Sequence, residues 1–131
     1  VLGSGGLILA SPIFYYAVTA HTKILMDRFH SLWVKKNWSD QRPAPFATAR
    51  RKGVFISAGA TRGKRLFEGT LLSVRYFFDT LDADLCKTLL YRGLEYEDDI
   101  LKHPEYLLEA HRAGKELAEA LRSNAPAAPG A

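Results

Sequence analysis

The sequence predicts an α/β fold: a parallel sheet with helices packed on its faces. One observation is the order of its segments, in which three short apolar runs alternate with three segments of helical period. A second is that the first two runs are apolar on consecutive positions, as in strands covered on both sides. Right-handed crossovers then put the strand-to-helix loops at one end of the sheet, where open α/β sheets bind ligands.

The first strand is Gly6-Leu7-Ile8-Leu9-Ala10. Its unbroken apolar character suits the middle of a sheet better than a free edge. The run follows Val1-Leu2-Gly3-Ser4-Gly5 with no initiator methionine, so a truncated or processed chain is expected. From Ala17 to Trp33 the period turns helical, with Val18, Leu25, Phe29 and Leu32 at spacings of seven, four and three. Residues 34–52 hold Lys35, Lys36, Arg42, Arg50, Arg51 and Lys52 together with Pro43 and Pro45, and read as a long loop.

Gly53-Val54-Phe55-Ile56-Ser57 is the second strand, and its exit contains Gly59 and Gly63. Phe67, Leu71, Val74, Phe78 and Leu81 then form the apolar stripe of a helix over 66–81. The third strand, 84–91, places Asp84, Cys86, Thr88 and Leu90 on one side and so suits the sheet's margin. Residues 92–103 read as irregular. His103-Pro104-Glu105 is a helix entrance, with proline near N1 and an acid in the first turn. Leu107, Ala110, Gly114, Leu117 and Leu121 make the expected buried stripe of the last helix. The small residues of 123–131, with Pro126, Pro129 and Gly130, predict a disordered tail.

Composition bounds the function. A chain of 131 residues fits one domain, and 47% hydrophobic residues can fill a core. Eighteen basic against fourteen acidic side chains give a net charge of +4, which favours anionic partners such as phosphorylated cofactors or nucleic acid. Cys86 is the only cysteine, so this chain forms no internal disulfide or cysteine metal cluster, and a reducing, cytoplasmic setting is compatible with it. No apolar run reaches the roughly 18 residues of a membrane span, and the start lacks the basic region of a signal peptide.

Both unusual loops lie at the predicted ligand end. In the first, Ser11, Pro12, Ile13, Phe14, Tyr15, Tyr16, Ala17 and Val18 combine a backbone restraint with three consecutive rings. A planar ligand can stack there, and so can the edge of an ordinary core. In the second, Ser57, Ala58, Gly59, Ala60, Thr61, Arg62 and Gly63 offer exposed amides and a guanidinium. Those groups suit the carbonyl oxygens of a heteroaromatic ring and an anionic group, and they equally describe a surface turn. Gly-Ala-Thr-Arg-Gly-Lys lacks the Walker spacing of a phosphate loop.

Neither Ser11 nor Ser57 lies in a nucleophile elbow, and His21, His30, His103 and His111 have no metal spacing. Cys86, inside a strand, reads as a small core residue. Trp33 and Trp38 beside the basic loop fit a single-strand binder or a subunit contact. No RNP, KH or helix-turn-helix signature accompanies them, which leaves the contact between subunits as the expectation.

The text "LILASPIFYYAVTAHTKILMDRF" at 7–29, "GVFISAGATRGKRLFEGTLLSVRYFFDTLDADL" at 53–85 and "LLYRGLEYEDDILKHPEYLLEAHRAGKELAEAL" at 89–121 resembles a known family. It is similar to the C-terminal two thirds of the NADPH-dependent FMN reductases, especially their iron–sulfur flavoprotein branch. The S-P-x-[FY] strand exit and the following L-K-x-x-x-D-R-like helix carry much of the likeness, with Ile24 in the usual leucine place after Lys23.

The resemblance implies a flavodoxin-like three-layer sandwich with strand order 2-1-3-4-5, over residues 1–122. It implies FMN held between loops 11–18 and 57–63, with hydride or electron chemistry supplied by the flavin and no catalytic side chain. It further implies NAD(P)H as a reductant, a small-molecule or protein electron acceptor, and a homodimer or tetramer. The alternatives within this reading are an electron-transfer protein of the iron–sulfur flavoprotein type and a cofactor-less binding or assembly module. Three departures stand out: the family's strands 1 and 2, its phosphate-binding loop and the branch's cysteine group have no counterpart in residues 1–131.

Overall fold

The computed structural model describes residues 3–38 and 50–123. Strand β1 (Gly6–Ala10) leads into a hairpin of β2 (Ile13–Phe14) and β3 (Ala17–Val18), then helices α1 (Ala20–Arg28) and α2 (His30–Trp38). Strand β4 (Arg51–Gly59), helix α3 (Glu68–Thr80) and strand β5 (Ala83–Arg92) follow. A 3-10 helix (Glu97–Lys102) and helix α4 (Pro104–Ser123) complete the order.

The main sheet is parallel, in the order β1-β4-β5. Gly6 lies opposite Lys52 and Ala10 opposite Ile56, while Arg51 lies opposite Ala83 and Gly59 opposite Arg92. The period-2 alternation of β4 sends its side chains to two cores. Phe55 joins Leu7 and Leu9 of β1 beneath Met26 of α1 and Val74, Phe77 and Phe78 of α3. Val54 and Ile56 face the other way and pack with Leu89 and Tyr91 under Ala113 and Leu117 of α4. Each large apolar side chain so buried contributes about 1.5–3 kcal/mol, so both helix layers are held chiefly by this packing.

The sheet register explains why β5 reads as half polar. One extra residue sits in β5 opposite the Gly53–Val54 step, where pairing jumps from Leu85 to Lys87 and skips Cys86. A bulge of this kind reverses the parity of everything beyond it. Leu85 and Leu90 therefore reach the α3 core, whereas Leu89 and Tyr91 reach the α4 core. The expectation that Asp84, Cys86, Thr88 and Leu90 share a side fails at this bulge. Cys86 is exposed there and is not a core residue.

Other boundaries also moved. The helix expected over 17–33 breaks at Phe29, and its second part runs to Trp38. Residues 34–38 are thus helical and not loop, and Arg51 and Lys52 already belong to β4. Residues 39–49 of the expected loop lie outside the described residues. Helix α2 is tied to the end of α3 by Lys36, whose Nζ donates to the Asp79 carbonyl at 2.6 Å and pairs with Asp82 at 2.9 Å.

In α1 the buried residue is Met26, and Leu25 is exposed. In α4 the inward face runs through Tyr106, Ala110, Ala113, Leu117 and Leu121, leaving Leu107 exposed. Helix α4 extends to Ser123, which is therefore helical, and residues 124–131 of the expected tail lie outside the described residues. Strand β1 was expected to be covered on both faces. Among the described residues it pairs with β4 alone, and Ile8 stands 52% exposed on the side where α4 covers β4 and β5.

Buried Arg51 closes the sheet at the opposite rim from the two unusual loops. Its Nη1 donates to the Leu81 carbonyl at 2.7 Å and its Nε to the Ser4 carbonyl at 3.0 Å. A cation suits the C-terminal end of α3, where carbonyls lack helical partners. Among the described residues no helix is long and apolar enough to cross a membrane.

Candidate functional site

The carboxyl ends of β1 and β4 lie side by side because the strands are parallel neighbours, and the two unusual loops leave from there. Ser11 and Ser57 stitch these exits together. The Ser11 amide donates to the Ile56 carbonyl at 3.0 Å, and the Ser57 hydroxyl donates to the Ser11 carbonyl at 2.7 Å. The Ser11 hydroxyl donates to the Pro12 carbonyl and accepts from the Thr19 amide, each at 3.0 Å. Thr19 is also the N-cap of α1. Both serines are buried, so their hydroxyls act as structural ties at the floor of the rim.

Beyond Ser11 the chain forms the β2–β3 hairpin, in which Ile13 opposes Val18 and Phe14 opposes Ala17. Its two central residues are Tyr15 and Tyr16, with φ of 50° and 63°. Positive φ at both positions is the hand of a type I′ turn, which normally recruits Asn or Gly. Bulky residues there cost about 1–3 kcal/mol each and persist only where the surroundings hold them. Val18 is buried as the hairpin's root, whereas Phe14, Tyr15 and Tyr16 are exposed, Tyr15 completely. Pro12 and Ala17 are exposed and Ile13 is half-buried.

Loop 57–63 supplies the adjoining wall. Ser57 and Gly59 are buried, Ala58 is half-buried, and Ala60, Thr61, Arg62 and Gly63 are exposed. A Cβ on Gly59 would stand 3.5 Å from the Cβ of Ile13, and the Tyr16 hydroxyl lies 3.9 Å from where a Cβ on Gly63 would stand. The two bends therefore meet at one rim. Among the described residues the amides of Ala60, Thr61 and Arg62 donate to no backbone carbonyl, which leaves them for an outside acceptor.

The connection after β5 braces this wall. The Leu94 amide donates to the Gly59 carbonyl at 3.2 Å, and Arg92 donates to the carbonyls of Gly63 and Lys64 at 3.3 and 3.4 Å. Its guanidinium also lies 4.9 Å from the centre of the buried Phe67 ring, a cation–π arrangement. Gly93, with φ of 74°, lets Arg62 pass close over its Cα. Arg62 and Lys64 form no ion pair among the described residues, while Arg65 is neutralised by Glu68 at 2.7 Å. The rim consequently offers flat aromatic surface, free amides and positive charge together.

All of the residues expected at the site lie on this rim, though Ser11, Val18, Ser57 and Gly59 face inward and contribute backbone and packing. Sequence reasoning missed Arg92 and Gly93, whose roles arise from contacts about 29 residues away in the chain. It also missed Thr70, whose hydroxyl donates to the Tyr16 carbonyl at 3.1 Å. A threonine four residues before Val74, on the face of α3 that is buried, was the available signal.

No family model matches the chain, and no curated protein matches it. A solved structure of a flavone reductase is similar, with a TM-score of 0.68 and 19% identity. The likeness covers 92% of this chain and 43% of that one, so the chain spans less than half the length of this structural neighbour. With its parallel sheet flanked by helices, the chain has an α/β fold consistent with the flavodoxin-like architecture.

Proposed function

We propose that loops 11–18 and 57–63 form the ring-binding rim of an FMN-dependent oxidoreductase linked to NAD(P)H. The observation that carries this reading is the junction of the two bends, where the Tyr16 hydroxyl reaches Gly63 above the Ser57–Ser11 tie. The reductase name of the structural neighbour points in the same direction.

The residues present fit a planar heteroaromatic group. Amides of Ala60, Thr61 and Arg62 would donate to its carbonyl oxygens and ring nitrogens, and Arg62 would favour negative charge on it. Phe14, Tyr15 and Tyr16 would cover apolar ring surface and limit access of water. When bound, the flavin supplies the hydride or electron transfer. The chain's own work is orientation and electrostatics, and no side chain of the rim is needed as a general acid or base. In this reading the protein is a cytoplasmic homodimer or tetramer, serving a small-molecule or protein electron acceptor.

Titration of the chain with FMN and with riboflavin tests the proposal. Binding through the ring predicts quenched flavin fluorescence, with the two ligands held within about tenfold of each other. Flavin spectra unchanged by the protein would overturn it. NAD(P)H oxidation that depends on added FMN then tests the enzymatic half of the reading.

A further inference from the structure

We infer that Thr70, at the start of α3, is a positioning residue that fixes the aromatic tip of the ring-binding rim. The inference rests on the proposed flavin reading and adds a residue from outside both loops. A hairpin with two residues in each strand is too short to hold its own shape in water. This one must also keep Tyr15 and Tyr16 in a backbone conformation that their side chains disfavour. Its base is secured by the Ser11 ties, but those lie several residues before the tip.

At the tip, the Thr70 hydroxyl holds the Tyr16 carbonyl at 3.1 Å. Thr70 is only 1% exposed and belongs to α3, whose Val74, Phe77 and Phe78 are buried in the core, so the acceptor is tied to a well-packed layer of the fold. Gly69 presses from the same side, since a Cβ there would stand 3.3 Å from that carbonyl oxygen. The main chain of Tyr16 is thus anchored to α3 while its ring reaches toward Gly63. Cutting the bond should loosen the placement of Phe14, Tyr15 and Tyr16 without changing any group that would touch a ligand.

The test uses the whole chain with Thr70→Val, which keeps the shape and removes the hydroxyl, and Thr70→Ser, which restores it. One readout is the rate of chymotrypsin cleavage at the Phe14–Tyr16 tip, which requires no flavin. Thr70→Val should be cut about three- to tenfold faster than wild type, the scale of one lost hydrogen bond, and Thr70→Ser should return toward wild type. FMN affinity should fall by a similar factor in Thr70→Val and recover in Thr70→Ser, with FMN absorbance changes reporting the altered ring environment. Equal cleavage rates and equal affinities in the three folded proteins would overturn the inference. If wild type takes up no flavin, the flavin reading fails by itself, and the cleavage rates still decide whether Thr70 holds the tip.

Discussion

The Ser57 hydroxyl and the Ser11 carbonyl, 2.7 Å apart and both buried, tie the ends of two parallel strands together where the chain leaves the sheet. Replacing Ser57 with alanine removes the donor and leaves a buried carbonyl without it. We expect a loss of about 1–3 kcal/mol in stability, read from denaturant unfolding. The same variant should weaken flavin binding more than it weakens the fold, because both walls of the rim start from this tie. A variant as stable as wild type would show that the bond contributes nothing net.

At the opposite rim, Arg51 joins Ser4 to the end of α3 through the Leu81 carbonyl. Arg51→Met keeps much of the side chain's length and apolar contact but loses the donors. Hydrogen bonds from a charged group support an expected destabilisation of about 2–4 kcal/mol. Arg51→Lys should recover only part of it, since an ammonium cannot reproduce the planar fork. Flavin affinity should be unchanged in any fraction that remains folded, because this residue lies at the far end of the strands.

The alternation of strands and helices was legible because β1, β4 and α3 carry clear apolar patterns, and parallel pairing then forced loops 11–18 and 57–63 to one rim. What escaped depends on partners distant in the chain. The skip at Cys86 is defined only by the pairing of β5 with β4, so no local pattern announces the change of face. Helix α2 buries none of its residues fully, and Lys36 ties it to Asp79 and Asp82, 43 and 46 residues ahead. The three rings at 14–16 were visible as chemistry, but the positive φ of Tyr15 and Tyr16 is imposed by the hairpin and by Thr70.

Tyr91 predicts a distinct alkaline transition. It is buried, stacked on Tyr106 with ring centres 4.4 Å apart, and its hydroxyl donates to the Tyr106 carbonyl at 3.1 Å. Burial, with help from the negative charge of Glu109, pushes its pKa up to about 12. A tyrosine in the unfolded chain ionises near about pH 10, so the folded state favours the protonated form. The associated stability is therefore complete below about pH 10 and is lost as the pH rises toward 12. Tyrosinate absorbance should show a late step near pH 12 that is missing in Tyr91→Phe. Persistence of that step in the variant would assign it elsewhere.

Gly93 and Arg62 should be energetically coupled. A methyl group on Gly93 would stand 2.8 Å from Arg62 Nη2, and the φ of 74° at this position disfavours any L side chain. Gly93→Ala therefore has two separable costs, about 1–2 kcal/mol for the backbone and a further amount for displacing the guanidinium. The flexible Arg62 side chain can swing away, so the second cost should be modest in stability and larger in ligand affinity. Removing Arg62 first abolishes the clash but leaves the backbone cost intact. In a double-mutant cycle, Gly93→Ala should thus destabilise the Arg62→Ala protein by less than it destabilises wild type. For flavin binding, Gly93→Ala should resemble Arg62→Ala, and the two together should be no worse than either alone. Strictly additive effects on both stability and affinity would show that Gly93 does not set the position of Arg62.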